Sequence, residues 1–157
     1  MAITVERVGH VVLKVKSLDR AVPFYRDVLG LREVARFGGA ATLQSGAKMV
    51  FFSATGENHH DLALLEVGAD APTAPANAVG LYHVALKIGD SLEDLRAAKA
   101  HLEAHRAQIL GIADHRVSQS IYLSDPDGNT IEVYVDGDPA IWREDPTSVA
   151  TVAPLAI

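Results

Sequence analysis

Two histidines and a glutamate carry the chemistry this chain advertises. His10 opens the stretch His10-Val11-Val12-Leu13-Lys14-Val15 and His83 opens His83-Val84-Ala85-Leu86-Lys87-Ile88, so His, Val, Leu and Lys recur at one offset. Each copy then runs into a Ser-Leu step, Ser17-Leu18 and Ser91-Leu92. A duplicated half that repeats a metal-capable residue turns two ordinary histidines into one candidate site. Glu132, near the far end, supplies a carboxylate. Two neutral imidazoles and one carboxylate on one face of a divalent cation form the facial triad, which leaves adjacent positions open for substrate and dioxygen. Taken singly, a strand histidine is more often a hydrogen-bonded core or surface group; the repeat and the shared strand parity favour the ligand reading.

Other side chains could serve such a centre. His60, at the head of His60-Asp61-Leu62-Ala63-Leu64, can act as an acid or base beside the metal, with His59 as its less favoured neighbour and a solvated loop-end histidine as the alternative. His115 and Tyr122 lie before and within a closing hairpin, where a phenol can hydrogen-bond a metal-bound oxygen. Phe51, Leu43 and Tyr134 are candidate pocket linings. Three further signals have plainer explanations. His101 and His105 are one helical turn apart but lack a third ligand. Asp125-Pro126-Asp127-Gly128-Asn129 imitates a calcium loop, yet Thr130 stands where its glycine is needed, so a tight turn is expected. Gly38-Gly39 is too short to cradle phosphate.

The elements that must position these groups follow from periodicity. Val8 to Val15 alternates as a strand, with His10, Val12 and Lys14 on one face and Val11, Leu13 and Val15 on the other. A helix should cover the apolar face, running from Ser17 as N-cap through Leu18, Ala21, Val22, Tyr25, Val28 and Leu29 to Gly30 as a left-handed stop, with Pro23 tolerated only in its first turns. Strands are predicted at 33–37, 41–44, 48–53 and 61–67. The second half repeats the plan: a strand at 81–88 with Tyr82, Val84, Leu86 and Ile88 toward a helix, then that helix from Ser91, with Asp94 in a capping box. A hairpin closes it, Ser120-Ser124 and Thr130-Val135 around Asp125-Gly128, in which Ile131, Val133 and Val135 alternate with Glu132 and Tyr134. The apolar side belongs to the helix, which aims Glu132 at the histidines.

Composition sets the outer limits. At 157 residues, 48% hydrophobic and 22% charged, the chain suits one compact domain. We expect module one at about 5–68, a linker at about 69–79, module two at about 80–136 and a covering segment at about 137–157. With 14 Lys plus Arg against 20 Asp plus Glu the net charge is -6, and no basic stripe suits nucleic acid. The absence of cysteine excludes disulfides, thiolate metal sites and Cys nucleophiles. No basic segment precedes an apolar run at the N-terminus and no stretch is long enough to span a membrane, so a cytoplasmic protein without membrane partners is expected.

On these residues the chain resembles the vicinal oxygen chelate superfamily, which includes glyoxalase I, type I extradiol dioxygenases and bleomycin-resistance proteins. The resemblance runs from Val8 to about Trp142. Within the superfamily, Gly80-Leu81-Tyr82-His83-Val84-Ala85, Asp114-His115-Arg116-Val117-Ser118-Gln119-Ser120-Ile121-Tyr122-Leu123 and Asp125-Pro126-Asp127-Gly128-Asn129-Thr130-Ile131-Glu132-Val133-Tyr134 are similar to single-domain catechol 2,3-dioxygenase-like proteins. The resemblance implies an α+β fold of two βαβββ modules forming a cup-shaped, partly closed sheet around a metal, with helices outside. It implies His10, His83 and Glu132 as metal ligands, His60, His115 and Tyr122 as catalytic residues, Fe(II) or Mn(II) as cofactor, and dioxygen plus a small aromatic diol as substrates. A homo-oligomer is the expected assembly. Two rival readings stay open: a glyoxalase-like lyase or isomerase, with Glu66 as a fourth ligand, and a metal-free protein that binds an aromatic drug.

Overall fold

The computed structural model describes residues 3–38, 46–75 and 77–157. The chain folds as two compact units, Met1–Thr73 and Ala74–Ile157, each of which builds one sheet of the expected α+β architecture.

In the first unit, β1 (Val11–Val15) is followed by α1 (Leu18–Pro23), β2 (Arg32–Phe37), β3 (Met49–Ser53) and β4 (Leu62–Glu66). The sheet order is β1-β4-β3-β2, with β1 parallel to β4 and the other neighbours antiparallel. Leu13 and Val15 are buried while Val12 and Lys14 are exposed, as the alternation requires. Leu18, Ala21, Val22 and Tyr25 are buried with them. The helix is not regular throughout. Pro23 cannot donate a backbone hydrogen bond and crowds the preceding turn, and Phe24–Val28 continue as a π turn. Gly30, at φ +74°, then makes the predicted left-handed stop. Ser17 occupies the N-cap position but its hydroxyl caps nothing. The oxygen comes instead from Glu66, whose Oε2 accepts from the Leu18 N–H at 2.9 Å. The strand predicted at 41–44, and Leu43 with it, lies outside the described residues.

The second unit repeats the connectivity: β5 (Val84–Gly89), α2 (Leu92–Ala104), β6 (Gln108–Asp114), β7 (Ser118–Ser124) and β8 (Thr130–Asp136). Its order is β5-β8-β7-β6, again with the first strand parallel to the last, and β9 (Ala153–Pro154) extends it beyond β6. The predicted capping box is formed: Ser91 Oγ accepts from Asp94 N–H while Asp94 Oδ2 accepts from Ser91 N–H. Leu95 and Leu102 are buried on the inner face of α2, and Ile121, Leu123, Ile131, Val133 and Val135 on β7 and β8 are buried too. The predicted turn is held by Asp125, whose Oδ1 accepts from the N–H groups of Asp127 and Asn129, with Gly128 at φ +91°.

Three expectations need correction, and one strand was not foreseen. The histidine strands start later than predicted, at Val11 and Val84, so His10 and His83 each sit one residue ahead of a strand. Tyr82, lying before the strand, is 85% exposed and does not face the helix. Ile88 is 39% exposed because a register shift between Lys87 and Gly89 breaks the parity. Finally, β6 escaped the periodicity: a register shift between Ile109 and Gly111 leaves Leu110 52% exposed and interrupts its alternation. The C-terminal covering segment is also more structured than expected, with α3 (Pro139–Glu144), a 3₁₀ turn (Pro146–Ala150) and β9.

Candidate functional site

Neighbouring strands β7 and β8 place Tyr122 opposite Glu132 and Ser120 opposite Tyr134, so these four side chains share the face turned away from α2. Glu132 is only 7% exposed. Its Oε2 lies 2.9 Å from His83 Nε2, and its Oε1 accepts a 2.6 Å hydrogen bond from Ser120 Oγ. A carboxylate withdrawn from water is costly unless compensated, and the Ser120 hydroxyl, the His83 imidazole and the neighbouring Tyr122 phenol offset part of that cost. The Nδ1 atom of His83 is buried with no partner. The imidazole nitrogen Nε2 of His83 and the Glu132 Oε2 that it meets are the donor types a divalent first-row metal takes. The pair fits such an ion.

Next to it stands the second pair. Tyr122 packs edge-on to His83, ring centroids 5.6 Å apart, and its Oη lies 2.8 Å from His115 Nε2. Burial first, and the Glu132 carboxylate second, push the Tyr122 phenol up to about 12, so it keeps its proton at neutral pH. His115 follows the last residue of β6, in a tight turn where Arg116 takes φ +68°. The opposite nitrogen of His115, Nδ1, lies 3.0 Å from the Thr151 carbonyl.

The first unit assembles His10 and His60. Their ring centroids are 4.3 Å apart, whereas His59 stands 6.2 Å from His10; of the two, His60 is the closer. His59 and His60 bring their Nδ1 atoms within 2.6 Å, so one must donate and the other accept. Burial, followed by the neighbouring His10 and His59 rings, lowers the His60 pKa and favours its neutral, proton-accepting form. Phe51 packs edge-on to His60 at 5.1 Å and stacks on Phe37 at 5.9 Å, which gives the unit an aromatic wall. Asn58 fastens the arrangement: its Nδ2 donates to the carbonyls of Gly9, 2.9 Å, and His60, 2.7 Å.

Thus His83 is brought to Glu132 and to Tyr122, Tyr122 to His115, and His10 to His60. Among the described residues of either unit, no three His, Asp or Glu side chains form a group able to hold a metal unaided. Glu66 is already engaged, capping α1 through Oε2 and accepting from Lys48 Nζ at 2.8 Å through Oε1. His101 and His105 explain each other: His105 Nδ1 sits 2.9 Å from the His101 carbonyl at the end of α2. Sequence reasoning missed Ser120, Asn58 and Thr151. Ser120 was legible, two residues before Tyr122 on the same strand and hence on its face; Asn58 and Thr151 lie in segments without period.

The chain belongs to the Glyoxalase/Bleomycin resistance protein/Dioxygenase superfamily, whose family model matches residues 7–133. Among its relatives, the catechol-2,3-dioxygenase of Bacillus subtilis (strain 168) is 37% identical over 88% of this chain and 44% of its own. The biphenyl-2,3-diol 1,2-dioxygenase 3 of Rhodococcus globerulus is 31% identical over 83% of this chain and 63% of its own. The chain therefore spans less than two thirds of either relative. A crystal structure of a glyoxylase/bleomycin resistance protein/dioxygenase domain from Frankia sp. EAN1pec shares the fold, with a TM-score of 0.69 at 20% identity over 85% of this chain and all of that one. No helix among the described residues is long and apolar enough to cross a membrane.

Proposed function

We propose that the protein is an extradiol dioxygenase, which opens a catechol-type ring beside its paired hydroxyls using dioxygen, with Fe(II) or Mn(II) held by His10, His83 and Glu132. The observation that carries this reading is the buried Glu132 carboxylate with His83 Nε2 at 2.9 Å, flanked by the Tyr122–His115 pair. The likeness to a catechol-2,3-dioxygenase at 37% identity supports the same reaction class. When bound, the metal would supply Lewis acidity toward the catechol oxygens and an electron path between substrate and dioxygen.

The chain's own groups then have defined tasks. His60, lowered in pKa by burial and by its imidazole neighbours, receives a hydroxyl proton of the catechol on a ring nitrogen. Tyr122 orients a substrate oxygen by hydrogen bonding, and His115 exchanges a proton with the phenol at Nε2. Phe51 and Phe37 offer apolar surface to an aromatic ring. Both atoms of dioxygen end in the ring-opened semialdehyde, so no external reductant is needed. Engagement of Glu66 by Leu18 and Lys48 counts against a glyoxalase-like lyase with a fourth ligand on β4.

Anaerobic loading with Fe(II), followed by a panel of mono- and bicyclic catechols and then air, tests the proposal. Stoichiometric oxygen uptake with a yellow product is expected. No uptake across the panel by protein that has bound iron would overturn it, and failure to bind any metal would favour a metal-free binding protein.

A further inference from the structure

The C-terminal segment, which periodicity could describe only as a cover, reaches the catalytic pair. Its 3₁₀ turn is anchored by Ser148, 3% exposed, and ends with Thr151 N–H donating to the Ser148 carbonyl at 3.0 Å. Beyond it, β9 pairs with β6 through Ala153 to Asp114 and Pro154 to Ala113, the residues that lead into His115. Both ends of the strap are thus fixed, and the Thr151 carbonyl between them lies 3.0 Å from His115 Nδ1. A backbone carbonyl has no hydrogen to give, so Nδ1 must carry the proton of that bond. In a neutral imidazole the other nitrogen is then an acceptor, and the group that meets Nε2 among the described residues is Tyr122 Oη at 2.8 Å.

We propose that the Thr151 carbonyl is a positioning group for the active site: it fixes His115 as the Nδ1–H tautomer, so that Tyr122 donates its phenolic proton to His115 Nε2 and turns its oxygen lone pairs toward the substrate. The inference rests on the dioxygenase reading only for what meets those lone pairs. There Tyr122 acts as an acceptor and selects a substrate oxygen that still bears hydrogen. The direction of the pair also makes it a route for a proton out of the site, from substrate hydroxyl to phenol oxygen as the phenolic proton passes to Nε2. The turn that carries His115 is tied down independently, by His115 N–H to the Ser118 carbonyl at 2.8 Å and Gly137 N–H to the Val117 carbonyl at 2.8 Å, so the ring is presented to both partners from a fixed backbone.

Histidine ¹⁵N NMR of the full chain at neutral pH reads the tautomer without turnover, so its outcome is separable from the question of which reaction occurs. A protonated Nδ1 and an unprotonated Nε2 are expected for His115, identified by loss of its signals in His115→Gln. Tyr122→Phe should leave Nδ1 protonated, because the carbonyl and not the phenol sets it. A chain ending at Ala150 should lose the Nδ1–H preference, while one ending at Pro154 should keep it. An Nε2–H tautomer or a doubly protonated ring in the full chain would overturn the proposal, as would a tautomer that flips in Tyr122→Phe or survives removal of Thr151. Should the shortest chain not fold, the full-length and Tyr122→Phe spectra still decide.

Discussion

Ser120 illustrates how much of a proposed metal ligand's behaviour is settled by the side chain beside it. Its hydroxyl, fully buried, holds Glu132 Oε1 at 2.6 Å and leaves Oε2 facing His83. Groups that orient ligands in this way typically contribute 10–100-fold to metal affinity. Ser120→Ala should therefore weaken Mn(II) binding by about that factor, measured by equilibrium titration, with Ser120→Thr restoring most of it. His83→Ala should abolish tight binding altogether; retention of affinity by that variant would remove His83 from the ligand set. At this scale the sequence was informative about identity and poor about connection. The repeat marked His10 and His83, and alternation along β8 placed Glu132 opposite the helix-facing residues, because both signals depend only on strand period. Thr151 acts through its backbone carbonyl, which any residue type presents, and Asn58 donates from its side-chain amide in a loop without period, so no pattern of side chains could have named them.

At the scale of elements the two helices contrast. The capping box on α2 is written in four consecutive residues and was legible; the cap on α1 is borrowed from Glu66 across 48 positions and was not. Lys48 and the Leu18 N–H hold the Glu66 pKa below its usual value. A carboxylate with a depressed folded pKa stabilises the fold above its unfolded pKa and loses that contribution as pH falls through the folded one. Glu66→Gln should cost about 1 kcal/mol at neutral pH, in the range of a lost helix cap, and should flatten the acid side of the stability profile obtained by urea unfolding. Leu95, fully buried where α2 meets its sheet, should cost about 2–5 kcal/mol when cut to alanine. Gly137 is a different kind of element residue. A Cβ there would stand 2.8 Å from the Arg116 carbonyl, so Gly137→Ala must push on the turn bearing His115. Its expected signature is a shifted His115 ¹⁵N resonance with Mn(II) affinity preserved.

For the whole molecule, the proposed ligand set draws on residues of both units, His10 from one and His83 with Glu132 from the other. A ligand that binds only the folded state raises stability by mass action, about 2.7 kcal/mol at a hundred times its Kd. Metal should therefore raise the thermal midpoint in a concentration-dependent way, and both His10→Ala and His83→Ala should lose most of that rise. A full rise in His10→Ala would assign the metal to the second unit alone. The duplication itself was readable from the repeated strand and helix openings, since each copy needs the same apolar face covered, while the βαβββ count came from the family resemblance. What was hidden were the irregular places, the shifts at Ile88 and Leu110 and the tail, where one extra residue cancels the alternation on which such reading depends.

The borrowed cap has a bearing on the order of events when the chain folds. The helix of the second unit can begin from its own neighbours, thirteen residues long with both ends of its first turn supplied locally. That of the first unit is a six-residue α segment, too short to persist alone. Its opening is completed only when β4 arrives with Glu66. Two halves that share one connectivity thus reach it from opposite directions, one nucleating early from nearby residues and the other waiting on a distant partner. In amide-exchange labelling during refolding, α2 should gain protection before α1.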